Sequence, residues 1–325
     1  MNPIDWKPAA SADVMRERAR MLARARAWFA AENVLEVQTP LLSSAAVSEV
    51  QIESIAAQPL QGRPMYLQTS PEYPMKRLLA AGLGYCYHVC PVFRDGESGR
   101  QHNQEFTMIE WYRVGFGVTE MQRDVDRLLR AVTGDLKALP LSRQVTYREA
   151  IQNACGLDCR TATVAEIETV VRDRGIAPIA ADDSDRDAWF DLLMATVVGP
   201  ALGHDAPLFV RDYPASQAAL ARLRDDGDGW PVAERFELYL GGLELANGFH
   251  ELVDALEQRR RFEQDQARRR QRGQRVAPLD ERFLAALAAG LPDCAGVALG
   301  FDRLVMSALG CESIAEVLAF PVDRA

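Results

Sequence analysis

Two pairs of strand-like runs, each folded back on itself, decide what this chain can become. Tyr85 to Arg94 is rich in aromatic and β-branched residues, Asp95 to Gln104 is a polar loop containing Gly96 and Gly99, and Glu105 to Arg113 is a second strand. Together they predict a long-looped hairpin. Arg235 to Leu240 and Leu243 to Asn247 flank Gly241-Gly242, a pair that supplies the positive φ angles of a tight hairpin turn. Helical stretches and strands do not alternate regularly. An α+β fold, with an antiparallel sheet flanked by helices, is therefore favoured over a doubly wound parallel one. At 325 residues and 48% hydrophobic, the chain can bury a sizeable core.

Other elements follow from local signals. Ser11 or Asp13 can cap a helix whose apolar positions Val14, Met21, Leu22, Ala25, Trp28 and Phe29 form one stripe and which stops near Asn33. Val34 to Thr39 reads as an edge strand ended by Pro40; a long helix feeding an edge strand suits a homodimer interface. Ser70-Pro71-Glu72 opens a second helix continued by Met75, Leu78 and Leu79. Glu120 to Gly203 is helical in pattern, with breaks at Gly134, Pro140 and Gly156, and carries no interpretable motif. Leu208 to Arg211 is a short strand. The arginine-rich stretch Arg259 to Arg275 is expected to be an exposed helix, either balanced by Glu257, Glu263 and Asp265 or steering an acidic protein. Ala295 to Leu299 is a strand that runs through Gly300 into a final helix near Asp302.

The formal net charge of -9 and pI near 5.1 set the surface as a whole against nucleic acid. No apolar run approaches the roughly 20 residues needed to span a bilayer, and Met1 to Ala12 has no charged start followed by an apolar stretch. A cytoplasmic, membrane-free protein is expected. Cys86/Cys90 and Cys155/Cys159 lack a second half with zinc spacing, so reduced thiols are the expectation. There is no phosphate-binding Gly-x-x-x-x-Gly-Lys and no Gly-x-Gly-x-x-Gly opening a helix; a bound nucleotide would need another device.

Chemistry concentrates on the two hairpins. On the second strand of the first, Phe106, Met108, Glu110 and Tyr112 share a face by the period of two. An exposed face would not set Phe and Met beside a carboxylate, so a pocket is predicted. On the tight hairpin Tyr239 falls opposite Glu244, with Glu237 on the same face. Two carboxylates brought close are solvated separately or joined by a cation such as magnesium carrying phosphates.

The pieces Val34 to Pro40, Phe93 to Tyr112, Gly242 to Glu251 and Gly296 to Arg303 resemble, in order, the three signature motifs of class II aminoacyl-tRNA synthetases with the amino-acid pocket of the lysyl enzymes. The similarity runs from about residue 10 to the end, so 1–325 is expected to be a single catalytic domain with a helical insertion at about 120–205. Lysyl enzymes precede this core with an oligonucleotide-binding barrel; here the first motif begins almost at Met1, and an anticodon-binding domain is not expected. The acidic core, with its Glu244-Leu-Ala-Asn-Gly-Phe-His-Glu251 and Phe320-Pro-Val-Asp-Arg324 segments, most resembles the subgroup of these ligases that attaches (R)-β-lysine to elongation factor P.

That resemblance implies an AMP-forming ligase using ATP and magnesium, with elongation factor P and not tRNA as acceptor. It assigns Arg94 to the α-phosphate, His102 and Asn103 to the phosphate tail and nucleotide, Phe106 to stacking on adenine, and Arg303 to adenine's other face or the γ-phosphate. Arg94 and Arg303 are the implied catalytic residues; Asp95, Gly96, Glu97, Glu244, Leu245 and Gly300 are neighbouring ATP contacts. Glu237 and Glu244 match the metal ligands. Ser70, Pro71, Glu72, Glu110, Tyr112, Asn247, Glu251 and Ala298 match positions around the amino acid. Two details depart from the lysyl pattern. A glutamate usually stands two residues after the motif arginine, where this chain has Gly96 with Glu97 next to it. Ala298 replaces a typical glycine beside the α-amino group, implying that (R)-β-lysine is preferred to lysine. Three alternatives stay open: a tRNA-charging enzyme, an amidating ligase, disfavoured by carboxylates at Glu110 and Glu251, and a non-catalytic regulator, disfavoured by the intact Arg94, Arg303, Glu237 and Glu244.

Overall fold

The computed structural model describes residues 6–177 and 185–325; residues 1–5, where the leader expectation begins, and 178–184 of the predicted helical insertion lie outside the described residues. In chain order the elements are α1 (Ala12–Ala31), β1 (Leu35–Glu36), β2 (Leu42–Ser43), β3 (Ala56–Leu60), β4 (Arg63–Leu67), α2 (Glu72–Ala80), β5 (Cys86–Phe93), β6 (Glu105–Val114), α3 (Val118–Thr133), β7 (Arg143–Thr146), α4 (Tyr147–Cys155), α5 (Val164–Asp173), α6 (Arg186–Leu193), α7 (Gly199–Ala201), β8 (Leu208–Pro214), β9 (Leu223–Asp225), β10 (Pro231–Leu240), β11 (Leu243–His250), α8 (Ala255–Gln271), α9 (Glu281–Gly290), β12 (Cys294–Gly300) and α10 (Phe301–Leu309). They form two compact units, Met1–Ala138 with Glu251–Ala325, and Leu139–His250. The class is α+β, rich in antiparallel strand pairs.

In the first unit the strand order is β1-β5-β6-β12, with a separate three-stranded sheet β2-β4-β3. The long-looped hairpin forms as expected: β5 and β6 pair antiparallel with His88 opposite Glu110, and β12 pairs with β6 so that Gly296 faces Tyr112 and Ala298 faces Glu110. Ser11 starts α1 by accepting from the Val14 amide at 3.2 Å. Of the predicted stripe Met21, Ala25 and Phe29 are buried, and the Phe29 ring stacks on Tyr87 with centroids 4.0 Å apart. The expected edge strand shrinks to Leu35–Glu36, which pairs parallel with β5. Helix α2 begins one residue later than its Pro71 suggests, because the Ser70 hydroxyl accepts from the Glu72 amide at 3.0 Å. At the far end Asp302 is buried and accepts from Arg18 (Nη2, 2.7 Å) and from the Thr107 amide (2.6 Å), which ties α10 to α1 and β6.

The second unit holds the order β11-β10-β8-β7, with β9 on β10. Gly241 and Gly242 take φ of +61° and +79°, the left-handed pair that a tight turn requires. Tyr239 lies opposite Glu244 as predicted, and a register shift between Leu238 and Tyr239 sets Glu237 opposite Asn247. The strand β7 was not foreseen; it pairs parallel with β8. Its four residues run straight into α4, whose cap Thr146 accepts from the Glu149 amide at 3.1 Å, so no alternation is long enough to see. Helices α4, α5 and α6 bury Tyr147, Ile151, Ile167, Trp189 and Phe190 against Val210 and Tyr213 of β8.

The arginine-rich segment forms the expected helix and is balanced by Glu257, Glu263 and Asp265, but one of its arginines is not exposed. Arg269 of α8 is 4% exposed and donates to the carbonyls of Glu49 (2.7 Å), Ile52 (3.1 Å) and Arg275 (2.7 Å), while Arg260 and Arg261 pair with Glu257. All six cysteines are free thiols. Among the described residues no helix is long and apolar enough to cross a membrane.

Candidate active site

In the first unit, three carboxylates from distant parts of the sequence meet two hydroxyls. Glu110 of β6 is 2% exposed; it accepts from Ser70 Oγ at 2.6 Å and from Tyr112 OH at 2.7 Å. Burial, and secondarily the charge of Glu72, pushes its carboxyl up to about 8. Glu251, directly after β11 in sequence, is 1% exposed. Glu72 and Glu251 share one cation, the Lys76 ammonium, at 2.6 and 2.5 Å. Burial alone would lower the Lys76 pKa, yet these two carboxylates more than offset it and raise it. Four of the predicted pocket residues, Ser70, Glu72, Glu110 and Tyr112, are thus brought together with Glu251. Pro71 stands at the cap of α2. Ala298, opposite Glu110, packs with Phe106 against Cys90, Val92 and Met108.

Sequence reasoning passed over two residues here. Lys76 sits four residues after Glu72 and reads as an ordinary surface pair. Gly296 reads as a weak point in a strand; in the structure a Cβ there would lie 2.2 Å from the Tyr112 ring and 2.5 Å from Glu251 Oε1. The missing side chain is what admits both groups, and a glycine inside a strand is the signal that could have found it.

Further along β6 the residues expected to meet ATP gather. Arg94 lies with its guanidinium carbon 5.2 Å from the Phe106 ring centroid and its Nη1 3.6 Å from Glu97 Oε1. Its Nε is buried and has no hydrogen-bond partner among the described residues, a donor that suits a bound anion. The loop is held by the Arg94 amide on the Gln104 carbonyl (2.9 Å) and the Asp95 amide on the Glu53 carbonyl (2.8 Å), and Gly96 takes φ +76°. Arg303 donates to His102 Nε2 at 2.6 Å and to the Gln101 carbonyl at 3.3 Å; burial and this guanidinium lower the His102 pKa. Gly300 caps α10. The Asn103 side chain donates through Nδ2 to the Glu105 carbonyl (2.6 Å) and accepts through Oδ1 from the Val322 amide (3.0 Å), which pins the Phe320 to Arg324 segment beside the loop.

The remaining predicted residues belong to the second unit. Glu237 accepts from Arg235 at 2.5 Å and from Tyr239 OH at 2.7 Å, and the charges of Glu237 and Glu244 both act on Arg235 and Tyr239. Among the described residues no group of three His, Cys, Asp or Glu could hold a metal alone. Two carboxylates do fit the way magnesium binds when phosphates and water complete its shell. Leu245 is buried. Asn247 Oδ1 is buried with no hydrogen-bond partner among the described residues, an acceptor suited to an N–H of a ligand.

Comparison with known proteins shows the family of the chain. The family model described as tRNA synthetases class II (D, K and N) matches residues 2–324. Curated relatives named Elongation factor P--(R)-beta-lysine ligase, from Salmonella gallinarum (strain 287/91 / NCTC 13346) and Salmonella paratyphi B (strain ATCC BAA-1250 / SPB7), are 46% identical over 325 residues, covering 98% of this chain and 98% of each relative. The chain therefore belongs to the class II (D, K and N) tRNA synthetase family and is a ligase of the ATP-dependent, amino acid-activating kind.

Proposed function

We propose that this ligase activates (R)-β-lysine, and lysine more weakly, as the aminoacyl adenylate and transfers it to a lysine side chain of elongation factor P. The observation that carries the reading is the buried cluster of Glu72, Glu110, Glu251, Ser70 and Tyr112, which offers carboxylates and a phenol to a substrate with two ammonium groups. The Salmonella relatives, named as ligases of elongation factor P, support that acceptor. The net charge of -9 favours a protein over tRNA.

In the first step a substrate carboxylate oxygen attacks the α-phosphorus of ATP and pyrophosphate leaves. Arg94 balances the charge that develops on the phosphoryl oxygens, and Arg303 orients the nucleotide. Asp95, Gly96, Glu97, His102, Asn103, Phe106, Leu245 and Gly300 supply further nucleotide contacts. Glu237 and Glu244 would hold magnesium, which when bound would supply charge neutralisation at the phosphates. In the second step the acceptor amine attacks the carbonyl carbon of the adenylate, AMP leaves and the amine gives up a proton. The reading includes a homodimer acting in the cytoplasm and one catalytic domain over 1–325.

Exchange of labelled pyrophosphate into ATP tests the first step. It should require a diamino acid and be strongest with (R)-β-lysine. Exchange driven by aspartate or asparagine instead would overturn the reading.

A further inference from the structure

Lys76 has no part in the chemistry of the two steps, yet its ammonium stands inside the amino-acid pocket. It is 1% exposed and reaches Glu72 at 2.6 Å and Glu251 at 2.5 Å. Its nitrogen also lies 5.8 Å from the centroid of Phe283, a ring stacked on Tyr73 at 4.6 Å. With a ring on one side and two carboxylates on the other, the ammonium is buried. A charge so enclosed persists only with partners, and losing one partner of such a set exposes the other to the full cost.

The groups that face Glu110 can be counted. From α2 come Glu72 and Lys76 with Ser70 just before it, from β5 come Cys86 and Cys90 together with His88 opposite in register, and Tyr112 stands on its own strand; Glu251 joins the set through Tyr112 and Lys76. Three carboxylates and one resident ammonium leave two negative charges when all are ionised. A diamino acid brings two ammonium groups; a monoamino acid brings one.

Resting on the proposed diamino acid reading, we infer that Lys76 is a specificity-determining positioning residue. Its fixed ammonium limits the pocket to two negative charges once Glu110 ionises, and it holds Glu72 and Glu251 where they receive a substrate with two ammonium groups. Without that ammonium the three carboxylates keep an additional proton among themselves, and substrate must displace it.

The test is pyrophosphate exchange by wild type and Lys76→Met, varying (R)-β-lysine and ATP separately between about pH 6 and 8, with melting curves to establish folding. Lys76→Met should raise KM for the amino acid roughly 30-fold and leave KM for ATP unchanged. It should also steepen the pH dependence of kcat/KM from about one displaced proton to about two. A merely structural lysine would not change that slope. A second measurement needs no variant: 1,5-diaminopentane should inhibit the wild type at least about tenfold more strongly than pentylamine. If wild type exchanges with no diamino acid, the functional reading fails and this inference with it. If wild type exchanges but the variant's amino-acid KM and slope are unaltered, or the two amines inhibit equally, the inference alone is overturned.

Discussion

Ser70 and Glu110, 40 positions apart in sequence, meet through a 2.6 Å hydrogen bond from the hydroxyl to carboxylate Oε2. The bond joins the start of α2 to the middle of β6, and with Tyr112 on the other oxygen at 2.7 Å it gives Glu110 only neutral hydrogen-bond donors. Burial and the nearby Glu72 then hold its carboxyl up at about 8, so the free enzyme carries a proton there at neutral pH.

Two pH effects of opposite sign follow. The folded state keeps a proton that the unfolded chain releases in the ordinary carboxylate range near 4.5, so this group's contribution to stability is lost as pH rises from about 5 to about 8. Substrate ammonium favours the ionised form, so kcat/KM for the amino acid should rise over the same window and level off above about pH 8. Glu110→Gln should flatten both profiles. Melting temperature and kcat/KM that follow pH as in the wild type would show that another group titrates.

Gly296→Ala should separate the two halves of the site. The new methyl would fall 2.2 Å from the Tyr112 ring, so Tyr112 or Glu251 must shift. Amino-acid KM should rise by about 100-fold or more while nucleotide binding, followed by equilibrium titration, stays near the wild-type value. Equal loss of both would mean that β12 itself had moved.

Arg94→Ala and Glu251→Gln should fail in different ways. The first removes a charge needed when the α-phosphoryl group reacts and should lower kcat for pyrophosphate exchange by roughly 100-fold or more at any amino-acid concentration. The second should act mainly through amino-acid KM. Indistinguishable kinetic profiles would contradict these roles.

What the sequence made legible were features with local signals. Gly241-Gly242 announced its turn and the register of Tyr239 with Glu244; the period of two on β6 set Glu110 beside Tyr112; Ser11 marked the start of α1. Short pieces stayed hidden, since the two residues of β2 and the four of β7 are too few for any periodicity to show. Arg269, expected on an exposed helix, and Lys76, which the sequence reading passed over, are buried for one reason. Lys76 and Arg269 each look like helix surface in sequence, and only chain folding brings Glu251 to the first and the 49–53 segment to the second.

Ala298 bears on which isomer is used. Its methyl stands opposite Glu110, and a methyl-sized mismatch is worth roughly 10 to 200-fold in specificity. Ala298→Gly should improve α-lysine use relative to (R)-β-lysine with little loss of fold, because glycine inside a strand costs only about 1 kcal/mol. An unchanged ratio of kcat/KM for the two isomers would remove Ala298 as the discriminator.

The most direct measurement is a transfer experiment. The enzyme is incubated with ATP, labelled (R)-β-lysine or α-lysine, purified elongation factor P and total tRNA, and the macromolecules are separated. The account predicts label on elongation factor P, at a lysine side chain, more from (R)-β-lysine than from α-lysine, and none on tRNA; label on tRNA with elongation factor P left unmodified would contradict it.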